Sequence, residues 1–235
     1  MSPCVAFSRY LRMRIYGAVF FLMFGARTFA APIVSSGGGD GVTDDIFDTS
    51  QLSSVLGSSL MLACCGGSQP QNSFGGNFGV EPPHTLFADG PPAGSIDFIN
   101  FQTADVIALT GYNAILADDS DDPGFPGNPN RGSTSFSLFS SPDSSFTTLT
   151  LISTTALPSS YSSNYGTNAI LISDTFAPVQ AQFFRVEITR TTAGGPRIRE
   201  IDGVGVVVPE PASAVLLGCG LLAVLGHRRR TRLSR

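Results

Sequence analysis

The strongest constraint on the fold is a succession of short β-forming runs separated by turn clusters. They are residues 95–101 (SIDFINF), 106–116 (VIALTGYNAIL), 135–139 (SFSLF), 146–152 (FTTLTLI), 169–173, 181–189 (AQFFRVEIT) and 197–201. Several alternate apolar with Ser, Thr or charged positions. In residues 181–189, Phe184, Val186 and Ile188 face one way and Arg185, Glu187 and Thr189 the other. Gly, Pro, Asp and Ser cluster between the runs, at 118–132, 140–145, 159–167 and 191–196. Short strands at such spacing predict an all-β protein, a jelly-roll β-sandwich. No period of 20–50 residues repeats, so a solenoid or propeller is excluded.

Composition agrees. Charged residues are 14% of the 235, against about 25% in an average soluble domain. There is no Lys and no Trp. All 18 acids lie between Asp40 and Glu210, a stretch that holds only five of the 14 Arg. Such an acidic body repels nucleic acid and anionic membranes, so no nucleic-acid partner is expected.

The basic ends are addresses. Arg9, Arg12 and Arg14 precede an apolar run at 15–26, and Thr28-Phe29-Ala30 supplies small residues at a cleavage position. Residues 1–30 therefore read as a secretory signal peptide. At the other end come Val208-Pro209-Glu210-Pro211, the apolar residues 212–226, and the cluster Arg228-Arg229-Arg230. Fifteen residues make about 22 Å of helix, short for a hydrocarbon core of about 30 Å. Flanking arginines that snorkel make such a span tolerable. The positive cluster sets the cytoplasmic side and leaves the body outside.

This three-part end resembles the PEP-CTERM sorting signal of Gram-negative-type bacteria. The resemblance implies recognition by an exosortase, transient anchoring in the inner membrane by a single transmembrane sorting helix, and cutting near the Pro-Glu-Pro motif. The product would go to the cell surface or the exopolysaccharide matrix. Two prolines around Glu210 keep the segment extended, as a protease requires. The expected organisation is signal peptide 1–30, a leader with a short helix or strand 31–69, the sandwich 70–206, and the sorting signal 207–235. Within the leader, residues 31–39 read as flexible, and residues 52–65 suit a helix or a buried strand. Cys64 and Cys65 are adjacent and suit two buried thiols or a strained vicinal disulfide.

Within the body, residues 84–90 (HTLFADG), Phe183-Phe184-Arg185-Val186-Glu187-Ile188 and Ile198-Arg199-Glu200-Ile201 resemble galactose-binding-like, or discoidin (coagulation factor 5/8 type C), sandwiches. The chain departs from them in lacking the Trp that usually follows the Asp-Gly turn. The resemblance implies a structural Ca²⁺ near Asp89 and Glu200. The alternative is a turn-forming Asp89 and a Glu200 paired with Arg197 or Arg199. The acidic run Asp118-Asp119-Ser120-Asp121-Asp122 lacks EF-hand spacing and reads as a solvated turn. Tyr161, Tyr165 and Asn164 in one loop, with Arg131 in another, have the chemistry of a sugar site: rings to stack, amide and guanidinium to bind hydroxyls.

Catalysis finds no constellation. Outside the C-terminal signal His84 is the single histidine, and no Gly-x-Ser-x-Gly elbow, P-loop or dinucleotide fingerprint occurs. The expectation is a non-enzymatic body that binds extracellular polysaccharide or another glycan. A structural or adhesive matrix protein without a ligand site and a cryptic polysaccharide hydrolase stand as alternatives.

Overall fold

Strand alternation sets the layers. In the computed structural model, Asp97, Ile99 and Phe101 point inward while Phe98 and Asn100 do not, and Phe184, Val186 and Ile188 are buried as their spacing predicts. Residues 31–36, 45–51, 53–63, 68–75, 85–117, 131–158 and 170–209 are described. They form β1 (Ile33–Ser36), β2 (Ser54–Ser58), β3 (Thr85–Leu86), β4 (Ile96–Ala117), β5 (Ser133–Ser141), β6 (Thr150–Ala156), β7 (Ile170–Arg190) and β8 (Arg197–Val207). Short 3-10 turns lie at Thr49–Gln51 and Pro70–Phe74.

All pairings between these strands are antiparallel. The long strands β4 and β7 each serve two layers. Their outer parts, 96–102 and 183–189, pair with each other and carry β2 on one side and β5, then β6, on the other. Their remaining parts, 107–116 and 170–181, pair again, flanked by β8 and β3 on one side and β1 on the other. The layers face each other: the Tyr112 ring of one lies 5.4 Å from the Phe136 ring of the other, and its hydroxyl is 3.4 Å from both Ser153 and Thr155 of β6. This is a β-sandwich.

Between the layers lies one apolar core that includes Phe47, Phe101, Phe136, Phe184, Ile107, Leu109 and Ile172. Phe47 meets Phe101 edge-on at 4.9 Å and Phe184 at 5.3 Å. Each such ring stabilises the sandwich by about 1.5–3 kcal/mol of burial.

Several sequence expectations are revised. Residues 95–101 and 106–116 belong to one 22-residue strand, as do 169–173 and 181–189. The ladder breaks between Gln102 and Ile107, and the Gln182 amide donates to the carbonyls of Thr103 and Ala104 freed there. The run expected at 146–152 forms its strand later, at 150–156. The sheet also begins earlier than residue 70. Residues 33–36, expected to be a flexible leader, pair with β7, and residues 54–58 settle the helix-or-strand choice as β2 on β4. The signal peptide 1–30, Cys64, Cys65, the acidic run 118–122 and residues 210–235 lie outside the described residues. Among the described residues no helix is long and apolar enough to cross a membrane.

Candidate functional site

Two clusters of ionisable groups stand out. The first is built by β8 and the segment just before the Thr49–Gln51 turn. Glu200 and Asp202 are two apart on β8 and both buried. Asp45 is brought to them by a backbone clamp. Its Oδ1 accepts from the N–H of Phe47 and of Gly203, both at 2.7 Å, and the Ile46 N–H donates to the Gly203 carbonyl at 3.3 Å. Phe47 in the core pins that segment. Gly203 must be glycine: a Cβ there would lie 2.7 Å from both Ile46 and the Phe47 ring.

One carboxylate oxygen from each of Asp45, Glu200 and Asp202 can be chosen so that all lie within 4.8 Å of one another. Asp45 Oδ2 is buried without a hydrogen-bond partner. Burial pushes the Asp45 carboxyl up to about 6, against the pull of the Gly203 and Phe47 N–H groups and helped by the nearby Asp48 charge. Hard, anionic oxygens gathered in a poorly solvated place are a donor set for Ca²⁺ or a similar divalent cation.

The second cluster lies where the β3–β4, β4–β5 and β7–β8 connections meet. Arg131 is buried and donates through Nη1 to Asp89 Oδ1 at 2.7 Å and to the Gly195 carbonyl at 3.2 Å. Asp89 Oδ1 also accepts from the Gly195 N–H at 2.9 Å. Burial works to raise the Asp89 pKa, but the Gly195 N–H and Arg131 outweigh it and hold it below its ordinary value. Gly195 packs so closely that a Cβ would fall 1.9 Å from the Phe87 carbonyl oxygen. Beneath, Arg190 is fully buried. It pairs with Asp97 through Nε at 2.6 Å and Nη2 at 2.9 Å, and Nη2 also reaches the Ala88 carbonyl at 2.8 Å. This pair braces the loops that hold Asp89.

The structure therefore partners Asp89 and Glu200 separately, Asp89 with Arg131 and Gly195, Glu200 with Asp45 and Asp202. A cation site on this donor set uses Glu200 without Asp89. Arg131, expected to meet a ligand directly, is buried and holds Asp89, whose side chain is 41% exposed. Tyr161, Asn164 and Tyr165 lie outside the described residues. The strands that bound their segment end beside this cluster: the Leu157 N–H donates to Thr134, three residues from Arg131, and Ile170 pairs with Leu116 at the far end of β4. Asp45 and Asp202 carried no sequence signal of their own. The two-residue spacing of Glu200 and Asp202 was the only local hint.

No family model and no curated protein matches this sequence. Among solved structures, it is similar to chitosan-binding module 1 of a chitosanase/glucanase from Paenibacillus sp. IK-5, with 16% identity and a TM-score of 0.47 over 68% of this chain and 98% of that one. It is similar to CBM32-3 of a family 31 glycoside hydrolase from Clostridium perfringens, with 15% identity and a TM-score of 0.48 over 68% and 94%. It is also similar to the C-terminal domain of a chitobiase from Bacteroides fragilis, with 15% identity and a TM-score of 0.45 over 66% and 95%.

Proposed function

We propose that this is an exported, non-catalytic glycan-binding protein of the cell surface or matrix, processed by an exosortase at its C-terminal signal. The observation that carries the binding site is the convergence at one end of the sandwich of exposed Asp89, braced by Arg131, with the two ends of the segment bearing Tyr161, Asn164 and Tyr165. A fixed carboxylate accepts from sugar hydroxyls and tyrosine rings stack on sugar faces. Ca²⁺ on Asp45, Glu200 and Asp202 ties the residue 45–51 segment to β8 and stabilises the body. The expected result is saturable binding of the full chain, in non-ionic detergent, to a subset of bacterial polysaccharides. Tyr161→Ala with Tyr165→Ala should weaken it about tenfold, equivalent to about 1.4 kcal/mol. Failure to bind any polysaccharide in a broad panel would favour a structural matrix role.

The processing motif follows β8 without a linker. The Val208 N–H donates to the Val106 carbonyl at 2.9 Å, and Pro209, with no N–H to give, stops the ladder there. Pro209→Ala with Glu210→Ala should leave the precursor at full length in the membrane fraction of its host, as read by immunoblot. Unchanged release into the medium would remove the motif from the account.

A further inference from the structure

The outer edge of β8 borders a groove that starts beside the carboxylate cluster, with which it shares Asp45 and Asp202, and runs away from it along the strand. A hollow of about 450 Å³ is lined by Asp45, Ile46, Gln51, Asp202 and the strand itself from Gly203 to Val207. A second, of about 260 Å³, shares Ile46, Gln51 and Val207 and reaches Asp105.

Beyond Gly203, the backbone along this edge has no partner strand among the described residues. On one side β8 pairs with β4 as far as Val207; on the other, β3 covers only Arg197 and Ile198. Gly203 shows which groups face out, because its N–H goes to Asp45 and its carbonyl takes the Ile46 N–H. Val208 has the opposite phase, its N–H going inward to Val106. Alternation along the strand turns the N–H and C=O of Gly205 and Val207 outward, where no described strand takes them. Folded proteins blunt such edges with Lys, Pro, bulges or covering segments. Here the last four residues of the strand are Val204, Gly205, Val206 and Val207, and the three valines are 50%, 65% and 51% exposed.

We propose that Gly205–Val207 and the adjoining groove form a strand-addition site for an extended peptide that alternates basic with apolar side chains. Four outward backbone groups supply the ladder. The valines and Ile46 supply apolar contact. Exposed Asp105 lines the second hollow, and the described residues that line the two hollows include no cationic side chain, so the groove favours positive charge. A second copy of this chain would instead set acids against acids, which opposes self-pairing. The inference is independent of the glycan and processing readings.

The test uses the full chain in non-ionic detergent and a fluorescent octapeptide of alternating arginine and valine, read by anisotropy. Saturable binding is expected. It should weaken about thirtyfold when alternate amides of the peptide are N-methylated, since two or more ladder bonds are lost. The same peptide with glutamate in place of arginine should not bind. Val207→Pro, which removes one outward N–H at a position where an edge strand tolerates proline, should weaken binding by about threefold to fivefold, and Asp105→Asn by about twofold to fivefold. Binding indifferent to N-methylation would overturn the proposal and leave only charge attraction. A chain that sediments as a dimer and becomes a monomer on Val207→Pro would overturn it in favour of self-pairing.

Discussion

Arg190→Met is expected to cost the body about 3–5 kcal/mol, because it strands Asp97 in the interior. Asp97 is 3% exposed and Arg190 2%, and they share two hydrogen bonds. Neither can turn to water once its partner is gone. Asp97→Leu should cost a similar amount by leaving the guanidinium buried. The double variant should lose less than the sum of the two, since no lone charge remains. The measurement is a double-mutant cycle on urea midpoints of the full chain in detergent. Costs that add within about 0.5 kcal/mol would show that the two groups are not coupled. The same cycle bears on binding: Arg190 also holds the Ala88 carbonyl, one residue from Asp89, so the variant should loosen the proposed glycan site.

The second large effect is expected at the carboxylate cluster. With chelator present, the Asp45 carboxyl titrates near 6 in the folded chain against an ordinary 3.8, chiefly because of burial. Between these values the folded state binds more protons than the unfolded one. Stability from this group is therefore fully present below about 3.8 and is lost as pH rises through about 6. Roughly two pKa units correspond to about 3 kcal/mol. Asp45→Asn, which keeps an acceptor for Gly203 and Phe47, should flatten that part of the profile. Ca²⁺ should restore stability at neutral pH by about 2.7 kcal/mol when it is a hundredfold above its dissociation constant. Superimposable melts at pH 7 in chelator and in Ca²⁺ would remove the cation from the account.

Local pattern made much of the fold legible. Phe184, Val186 and Ile188 alternate with Arg185, Glu187 and Thr189, and that alone assigns a strand and its buried face. The merging of two expected strands into β4 was not legible. Thr103-Ala104-Asp105 looks like a break, and only pairing with β7 and the Gln182 side chain carry the strand through it. The pairing of residues 33–36 was hidden for a similar reason, since four residues beside a Ser/Gly run have no strand signal without β7 beside them.

The sequence by itself determined the all-β class and the inward faces of the long strands. These depend on the two-residue period of side chains, which neighbouring residues set. Only the tertiary structure decided that Arg131 braces Asp89, that Asp45 joins Glu200 and Asp202, and that no described strand covers β8 beyond Ile198 on the side away from β4. Asp45 and Glu200 are 155 positions apart, and no local rule couples them. Their meeting is enforced by Phe47 sinking into the core and by the N–H of Gly203 finding its acceptor in Asp45.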